Sequence, residues 1–78
     1  MKGIAIPYSD IEGIDIDFLD LHSKAMCFDG DKQEVIVLVP DQELINTLNR
    51  LKKEGKLRYR ELSDDEFRRY AGELLYGD

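Results

Sequence analysis

The 78-residue sequence predicts a single α+β domain, a two-layer sandwich in which a mixed, mostly antiparallel sheet of four to five strands packs against two helices on one face. Three observations predict this class. Short apolar runs with strand-like alternation dominate the first half, amphipathic helical patterns dominate the second half, and turn-forming residues separate them. The expected order of elements is β-β-β-β-α-β-α, and no repeat, low-complexity tract or linker divides residues 1–78.

The first forty residues are expected to form short strands joined by turns. Pro7 lacks a backbone N–H, so the first strand is expected at an edge or a bulge. The Asp29–Gly30 pair is typical of a hairpin turn. The run that follows this turn is apolar on both faces, as in a central strand. The four expected strands are residues 3–8 (GIAIPY), 14–20 (IDIDFLD), 24–28 (KAMCF) and 34–39 (EVIVLV).

Two helices are expected after Pro40. Asp41 is an N-cap candidate for the first helix, and Gly55 can take the left-handed conformation that ends it. Ser63 and Glu66 have the spacing of a capping box at the start of the second helix. The apolar stripe of the first helix is Leu44, Ile45, Leu48 and Leu51, and that of the second is Phe67, Tyr70, Ala71, Leu74 and Leu75.

A further strand is expected between these helices. The segment KLRYREL at residues 56–62 alternates, with Leu57 and Tyr59 on the helix side. Strand, helix and strand from residue 34 to residue 62 should form a right-handed crossover. We therefore expect strands 34–39 and 56–62 to run parallel.

Composition limits the chemistry available to the chain. One cysteine allows no intramolecular disulfide, and together with one histidine it allows no Cys/His zinc site within a single chain. We expect no cofactor. No apolar segment has the length of a secretory signal or a membrane span, which predicts a cytoplasmic protein without membrane partners. The net charge of −6 disfavours general nucleic-acid binding and is compatible with a basic protein partner.

The IDIDFLD run raises the question of what its carboxylates do. If the run is a strand, Asp15 and Asp17 share one face and lie about 7 Å apart. The favoured interpretation is structural, because alternating cations in KLRYREL would then stand on the same open face of the sheet and pair with them. These cations are Lys56, Arg58 and Arg60.

Two other interpretations add further acids to this stripe. One is a hard-cation site, although no spacing in the sequence forces the oxygens to converge. Its candidate ligands besides the stripe are Asp20, Asp29, Asp31 and Glu34. The other is an acidic surface that a partner recognises, in the extreme case as a mimic of nucleic acid. The acids that could extend this surface are Glu12, Asp20, Asp29, Asp31 and Glu34.

The strand at residues 34–39 offers apolar side chains to both faces of the sheet. Helices on one face cover only one of these sets, so Ile36 and Leu38 are expected to form an exposed apolar band. Such a band usually marks an interface, and a homodimer would bury it. Cys27 and His22 could face each other as a thiol–imidazole pair, but a buried Cys27 is the favoured interpretation.

These patterns lead us to expect a small acidic, non-enzymatic interaction protein. It would bind and regulate or inhibit a macromolecular partner, foremost a basic or nucleic-acid-handling protein, and a phage or mobile-element origin fits such a role. The expected contact residues are Glu12, Asp15, Asp17, Asp20, Ile36 and Leu38. One alternative is an oligomeric ligand-binding or enzymatic module with a site shared between subunits. The other is a nucleic-acid binder that uses residues 52–60, with Lys56, Arg58 and Arg60 as contacts.

Overall fold

A computed structural model describes residues 2–76, so Met1, Gly77 and Asp78 of the expected 1–78 domain lie outside the described residues. The four strands are β1 (Gly3–Pro7), β2 (Ala25–Asp29), β3 (Glu34–Leu38) and β4 (Arg60–Glu61). The helices are a 3-10 helix (Tyr8–Gly13), α1 (Ile16–Leu21), α2 (Gln42–Lys53) and α3 (Asp64–Leu74). The strands form one sheet in the order β2-β3-β1-β4, and every pairing is antiparallel. The predicted α+β class is confirmed.

The first strand lies inside the sheet, between β3 and β4, which corrects the expectation that Pro7 marks an edge. The two-residue strand β4 pairs only with Ile4 and Ala5. The missing N–H of Pro7 therefore interrupts no pairing with β4, because the proline lies opposite Arg58, before β4 begins. A proline at the end of an inner strand is tolerated for this reason.

The run IDIDFLD is not a strand, because most of it forms the short helix α1. The Asp15 carboxylate caps this helix by accepting the Asp17 N–H at 3.0 Å, and Asp17 lies in the first turn, where a negative charge is favourable. Ile16 and Leu19 are three residues apart, so the same letters also fit a helical stripe. Leu19 is completely buried. Asp15 and Asp17 are consequently a cap and a first-turn residue, and they do not form a strand stripe.

The helices cover both faces of the sheet, so the expected placement of both long helices on one face is wrong. On one face, α1 and α2 pack over the nine buried residues Ile4, Ile6, Leu19, Val35, Val37, Leu44, Leu48, Leu51 and Leu57. On the other face, α3 packs over Ala5, Ile36, Leu38, Tyr70 and Ala71. Successive residues of β1 and β3 alternate between these two clusters, as the pleat requires. The chain therefore forms a helix–sheet–helix arrangement.

The expected apolar band at Ile36 and Leu38 is also wrong, because both side chains are completely buried under α3. The sequence shows that both faces of β3 are apolar but does not show where α3 packs. Neither residue can belong to a contact surface of the folded protein.

The second half of the chain follows the sequence patterns more closely. The Asp41 carboxylate accepts the Leu44 N–H at 2.9 Å and caps α2, and Gly55 has the expected left-handed conformation, with φ of 74°. Because β3 and β4 are both antiparallel to β1, they run in the same direction, as expected, with β1 between them.

The expected strand at residues 56–62 is reduced to the two residues of β4. The side chains that precede it still follow the predicted alternation. Leu57 is buried in the cluster beneath α2, and Tyr59 packs against the same cluster.

The last helix begins with the predicted capping box. The Ser63 hydroxyl accepts the Glu66 N–H at 3.1 Å, and the Glu66 carboxylate accepts the Ser63 N–H at 3.0 Å. Phe67, Tyr70 and Ala71 of this helix pack toward the sheet. No helix in residues 2–76 combines the length and apolar character that crossing a membrane requires.

Candidate functional site

The candidate site is the surface formed by the 3-10 helix and α1, called the acidic segment here and defined by its four carboxylates. Asp17 and Asp20 are three residues apart in α1 and therefore lie on the same side of it. Leu21 follows them with 79% of its surface exposed. The carboxylates of the acidic segment are Glu12, Asp15, Asp17 and Asp20, all on exposed residues.

These four carboxylates form no ion pair with any Lys or Arg among residues 2–76. The Asp15 carboxylate accepts only the backbone N–H of Asp17, with which it caps α1. Asp15 and Arg50 line the same shallow depression between α1 and α2, but no ion pair joins them. The structure thus places four of the predicted contact residues on the neighbouring 3-10 helix and α1 and leaves their carboxylates without an ion pair among residues 2–76.

The cations expected to pair with Asp15 and Asp17 have other partners. Arg58 donates to Asp10 from its backbone N at 2.8 Å and from Nε at 2.9 Å. These hydrogen bonds hold the pKa of the Asp10 carboxyl below its usual range. Lys56 pairs with Glu54 at 3.4 Å. The predicted cross-sheet pairing with the Asp15/Asp17 stripe is therefore wrong.

Arg60 is the centre of a charge network that joins β4, β3 and the N-terminus of α3. Its guanidinium donates to both oxygens of Glu34, at 2.9 and 3.0 Å, and to both oxygens of Glu66, at 2.9 Å each. Lys32 adds a third contact to Glu66, at 3.2 Å. Hydrogen bonds from Arg60, followed by that from the Ser63 N–H, hold the pKa of Glu66 far below its ordinary value. This network ties secondary-structure elements together. The Ser63–Glu66 capping box was the only part of it that the sequence analysis predicted.

Several side chains of the basic stretch at residues 52–60 are engaged by other parts of the protein. Arg58 and Arg60 are held by carboxylates, as described above. The hydroxyl of Tyr59 donates to Asn49 Oδ1 at 2.8 Å, and Lys52 Nζ lies 4.6 Å from the centre of the tyrosine ring. A ring covered by a cation and tied to α2 is a poor platform for stacking bases. These contacts argue against the nucleic-acid alternative.

His22 and Cys27 do not form the thiol–imidazole pair that their spacing allowed. His22 Nδ1 lies 2.7 Å from Asp41 Oδ2, and its ring lies 4.4 Å from that of Phe18, which packs on the α1/α2 side. Cys27 packs on the α3 side. Burial, followed by the charge of Asp29, raises the pKa of the Cys27 thiol. A half-buried thiol of raised pKa on the opposite face is a weak nucleophile.

In the turn between β2 and β3, the carboxylate of Asp29 has a structural role. The Asp29 carboxylate accepts the Tyr70 hydroxyl at 2.5 Å and the backbone N–H groups of Asp31 and Lys32 at 3.1 and 3.2 Å. These hydrogen bonds, the one from Tyr70 foremost, lower the pKa of Asp29. No group of three or more potential metal ligands is assembled in the part of the chain from Lys2 to Tyr76, so the described residues give the cation-site interpretation no support.

Fold and surface together define an α+β domain that has a helix layer on each face of its sheet and one uncompensated acidic segment. No protein-family model matches the chain, and neither a curated protein nor a solved structure is similar to it at a significant level.

Proposed function

We propose that this protein is a small, non-enzymatic interaction protein that binds a basic protein partner through the acidic segment and regulates or inhibits that partner. The observation that carries the proposal is the contrast in charge pairing. Arg58 and Arg60 are neutralised by acids beside them, whereas the acidic segment places its carboxylates at the surface with no cation in residues 2–76 paired to them.

The physical basis of recognition would be electrostatic attraction with an apolar contact near it. Clustered surface charge of one sign steers a partner of opposite charge and raises its association rate. The exposed Leu21 follows Asp17 and Asp20 along α1, so it can supply the apolar contact that interfaces place among polar neighbours.

Two contacts support a binding role over catalysis. The imidazole of His22 is held between Phe18 and Asp41 on one side of the sheet. The thiol of Cys27 packs on the other side, against the α3 cluster. The side chains best suited to nucleophilic or acid–base chemistry are thus separated by the sheet, and neither lies in the acidic segment.

The test uses charge removal without loss of fold. In the variant Glu12→Gln, Asp17→Asn, Asp20→Asn, three charges disappear while Asp15 keeps its role as the N-cap of α1. Proteins retained from a lysate of the source cells at low and at high salt are identified by mass spectrometry. The binding of each purified candidate is then measured by titration calorimetry. We expect a basic protein whose affinity falls at least tenfold in the variant and also falls with salt, since screening weakens exposed charges.

A matched control removes three other exposed carboxylates that form no ion pair in residues 2–76, with Asp31→Asn, Glu61→Gln and Glu73→Gln. This control has the same net charge as the test variant, so a general effect of charge would weaken both equally. Equal weakening, or a partner whose affinity ignores the acidic segment, would contradict the proposal.

A further inference from the structure

Among residues 2–76, no further strand pairs with one edge of the sheet, which is open over a full strand. β2 is the outermost strand on its side, and its residues from Ala25 to Phe28 carry no charge and no proline. Proteins usually protect an exposed edge with charges, proline, a very short strand or a covering element. The opposite edge has such protection, since β4 is two residues long and both are charged. β2 therefore has the features of a strand that pairs with another chain.

The hydrogen-bond alternation shows which backbone groups face outward. Tyr8 N–H donates to the Gln33 carbonyl, and Val39 N–H donates to the Lys2 carbonyl, so the odd-numbered residues of β3 bond toward β1. The even-numbered residues of β3 consequently bond toward β2. Ile36 lies opposite Cys27 in that pairing.

This alternation leaves Met26 and Phe28 with N–H and C=O groups that point away from β3. No other backbone or side-chain group within residues 2–76 bonds to them. These outward groups are a template for one more antiparallel strand.

We propose that two copies of this chain pair through β2, antiparallel to each other, with Cys27 at the two-fold axis. In this register Met26 of each copy is opposite Phe28 of the other, and all four outward groups of each copy form hydrogen bonds with the other strand. A shift that centres the pair on Met26 places Phe28 opposite Lys24, whose N–H already donates to Leu38. A shift that centres it on Phe28 places Met26 opposite Gly30, which lies in the turn. Only the register centred on Cys27 uses strand residues alone.

Side-chain chemistry in this register is self-complementary. Phe28, 60% exposed in one copy, meets the thioether of Met26 from the other, a favourable sulfur–aromatic contact. Lys24 forms no ion pair in the described chain and would lie opposite Gly30 of the second copy, between Asp29 and Asp31. A second copy thus brings opposite charges together at both ends of the strand, although each chain carries a net charge of −6.

The first test is the mass in solution of the full chain, measured by light scattering over a range of concentrations. We expect a dimer that dissociates on dilution, and a monomer in the variant Phe28→Lys, in which two added charges approach each other across the axis. Asn46→Lys adds the same charge on α2, far from the edge, and should leave the dimer intact. Circular dichroism checks that each variant is folded.

The second test determines whether the two β2 strands pair in the register centred on Cys27. Antiparallel residues in a non-hydrogen-bonded pair have Cα atoms about 4.5 Å apart, within the range that a disulfide spans. Treatment with diamide, which accepts the two electrons and two protons released by two thiols, should therefore convert the chain to a covalent Cys27–Cys27 dimer. Phe28→Lys should lose that product, and Cys27→Ser should dimerise without it.

Either test can overturn the proposal. A chain that stays monomeric at every concentration overturns it. This holds even if the β2 edge is then found to bind an extended peptide from another protein. A dimer that survives Phe28→Lys places the interface elsewhere. A dimer without the disulfide refutes the register centred on Cys27 and thereby the proposal as stated. These experiments leave the acidic segment unchanged, so their failure is separate from failure of the proposed function.

Discussion

The two faces of the sheet are covered by layers of unequal depth. Beneath α1 and α2 the core has nine buried residues, all of them leucine, isoleucine or valine. Beneath α3 it has five, two of which are alanines. Both layers exclude water from β1 and β3, but they bury different numbers of apolar side chains, and burial is the main favourable term in folding.

The thinner layer is also held by a network of polar contacts. The network around Arg60 ties the N-terminus of α3 to β4 and β3, and the Tyr70 hydroxyl ties its middle to Asp29. The capping box fixes the first turn. A helix with little apolar contact area can thus be held by a few well-placed hydrogen bonds, and the stability of α3 should depend on charge and on helix propensity more than that of α2 does.

The largest effect on stability should come from truncating a buried side chain in the thicker core. Leu48 and Leu38 are both completely buried, the first beneath α2 and the second beneath α3. We expect Leu48→Ala to lower the free energy of unfolding by about 3–5 kcal/mol and Leu38→Ala by about 2–3 kcal/mol, because small neighbours and a shorter helix collapse more easily around the cavity. Urea denaturation followed by circular dichroism measures both. Equal losses would show that the two layers are energetically alike.

Sequence patterns predicted the fold where an element is long and carries its own start and stop signals. The Asp41 cap, the Gly55 stop and the Ser63–Glu66 box all lie where the pattern placed them. The run at residues 14–20 failed because seven residues fit a period of 2 and a helical stripe equally well. Packing against Leu19 and the cap at Asp15 decided the outcome.

The face of the sheet on which α3 packs could not be predicted from the sequence, for a different reason. A strand that is apolar on both faces, such as β3, requires a cover on each face, but nothing local shows which helix crosses to which side. The same gap hid the ion pairs of Arg58 and Arg60. Arg60 meets Glu34 and Glu66 from 26 and 6 residues away, and Arg58 meets Asp10 from 48 residues away, through tertiary structure alone.

A smaller effect should follow from breaking the network that holds α3. Arg60→Met keeps the length of the side chain but removes the hydrogen bonds to Glu34 and Glu66. The side chain of Arg60 is 43% exposed, so we expect a loss of about 1–2 kcal/mol, less than for a fully buried pair. Thermal unfolding would measure it. Arg58→Met is the matched control. It should cost less, because the side chain of Arg58 is more exposed than that of Arg60. A larger cost than that of Arg60→Met would refute the role assigned to the network.

The same network should make stability depend on acid pH. The pKa of Glu66 is depressed in the folded protein, so the unfolded chain, with a pKa near 4.5, takes up its proton first as the pH falls. The stabilisation is therefore fully present above about pH 5 and is lost progressively in more acidic solution. We expect the free energy of unfolding to fall by up to about 1 kcal/mol from this source. Urea titrations at pH 6 and pH 3 should show a smaller fall in Glu66→Gln, and an unchanged fall would contradict the assignment.

The smallest effect should be a gain confined to the α3 side. Gly72 lies inside α3 with a helical backbone, and an added Cβ would meet nothing within 4 Å. Gly72→Ala should stabilise the protein by about 0.5–1 kcal/mol, because alanine has less backbone freedom to lose when the helix forms. Gly55→Ala is the contrasting variant, since its Cβ also meets open space but its φ of 74° is unfavourable for alanine. It should destabilise the protein by about 1 kcal/mol.

Hydrogen exchange shows where each change acts. If α3 opens separately from the thicker core, Gly72→Ala should slow the exchange of the α3 amides and leave that of the α2 amides unchanged. Equal slowing in both helices would mean that the two layers unfold together, and the difference between the faces would then be one of composition alone.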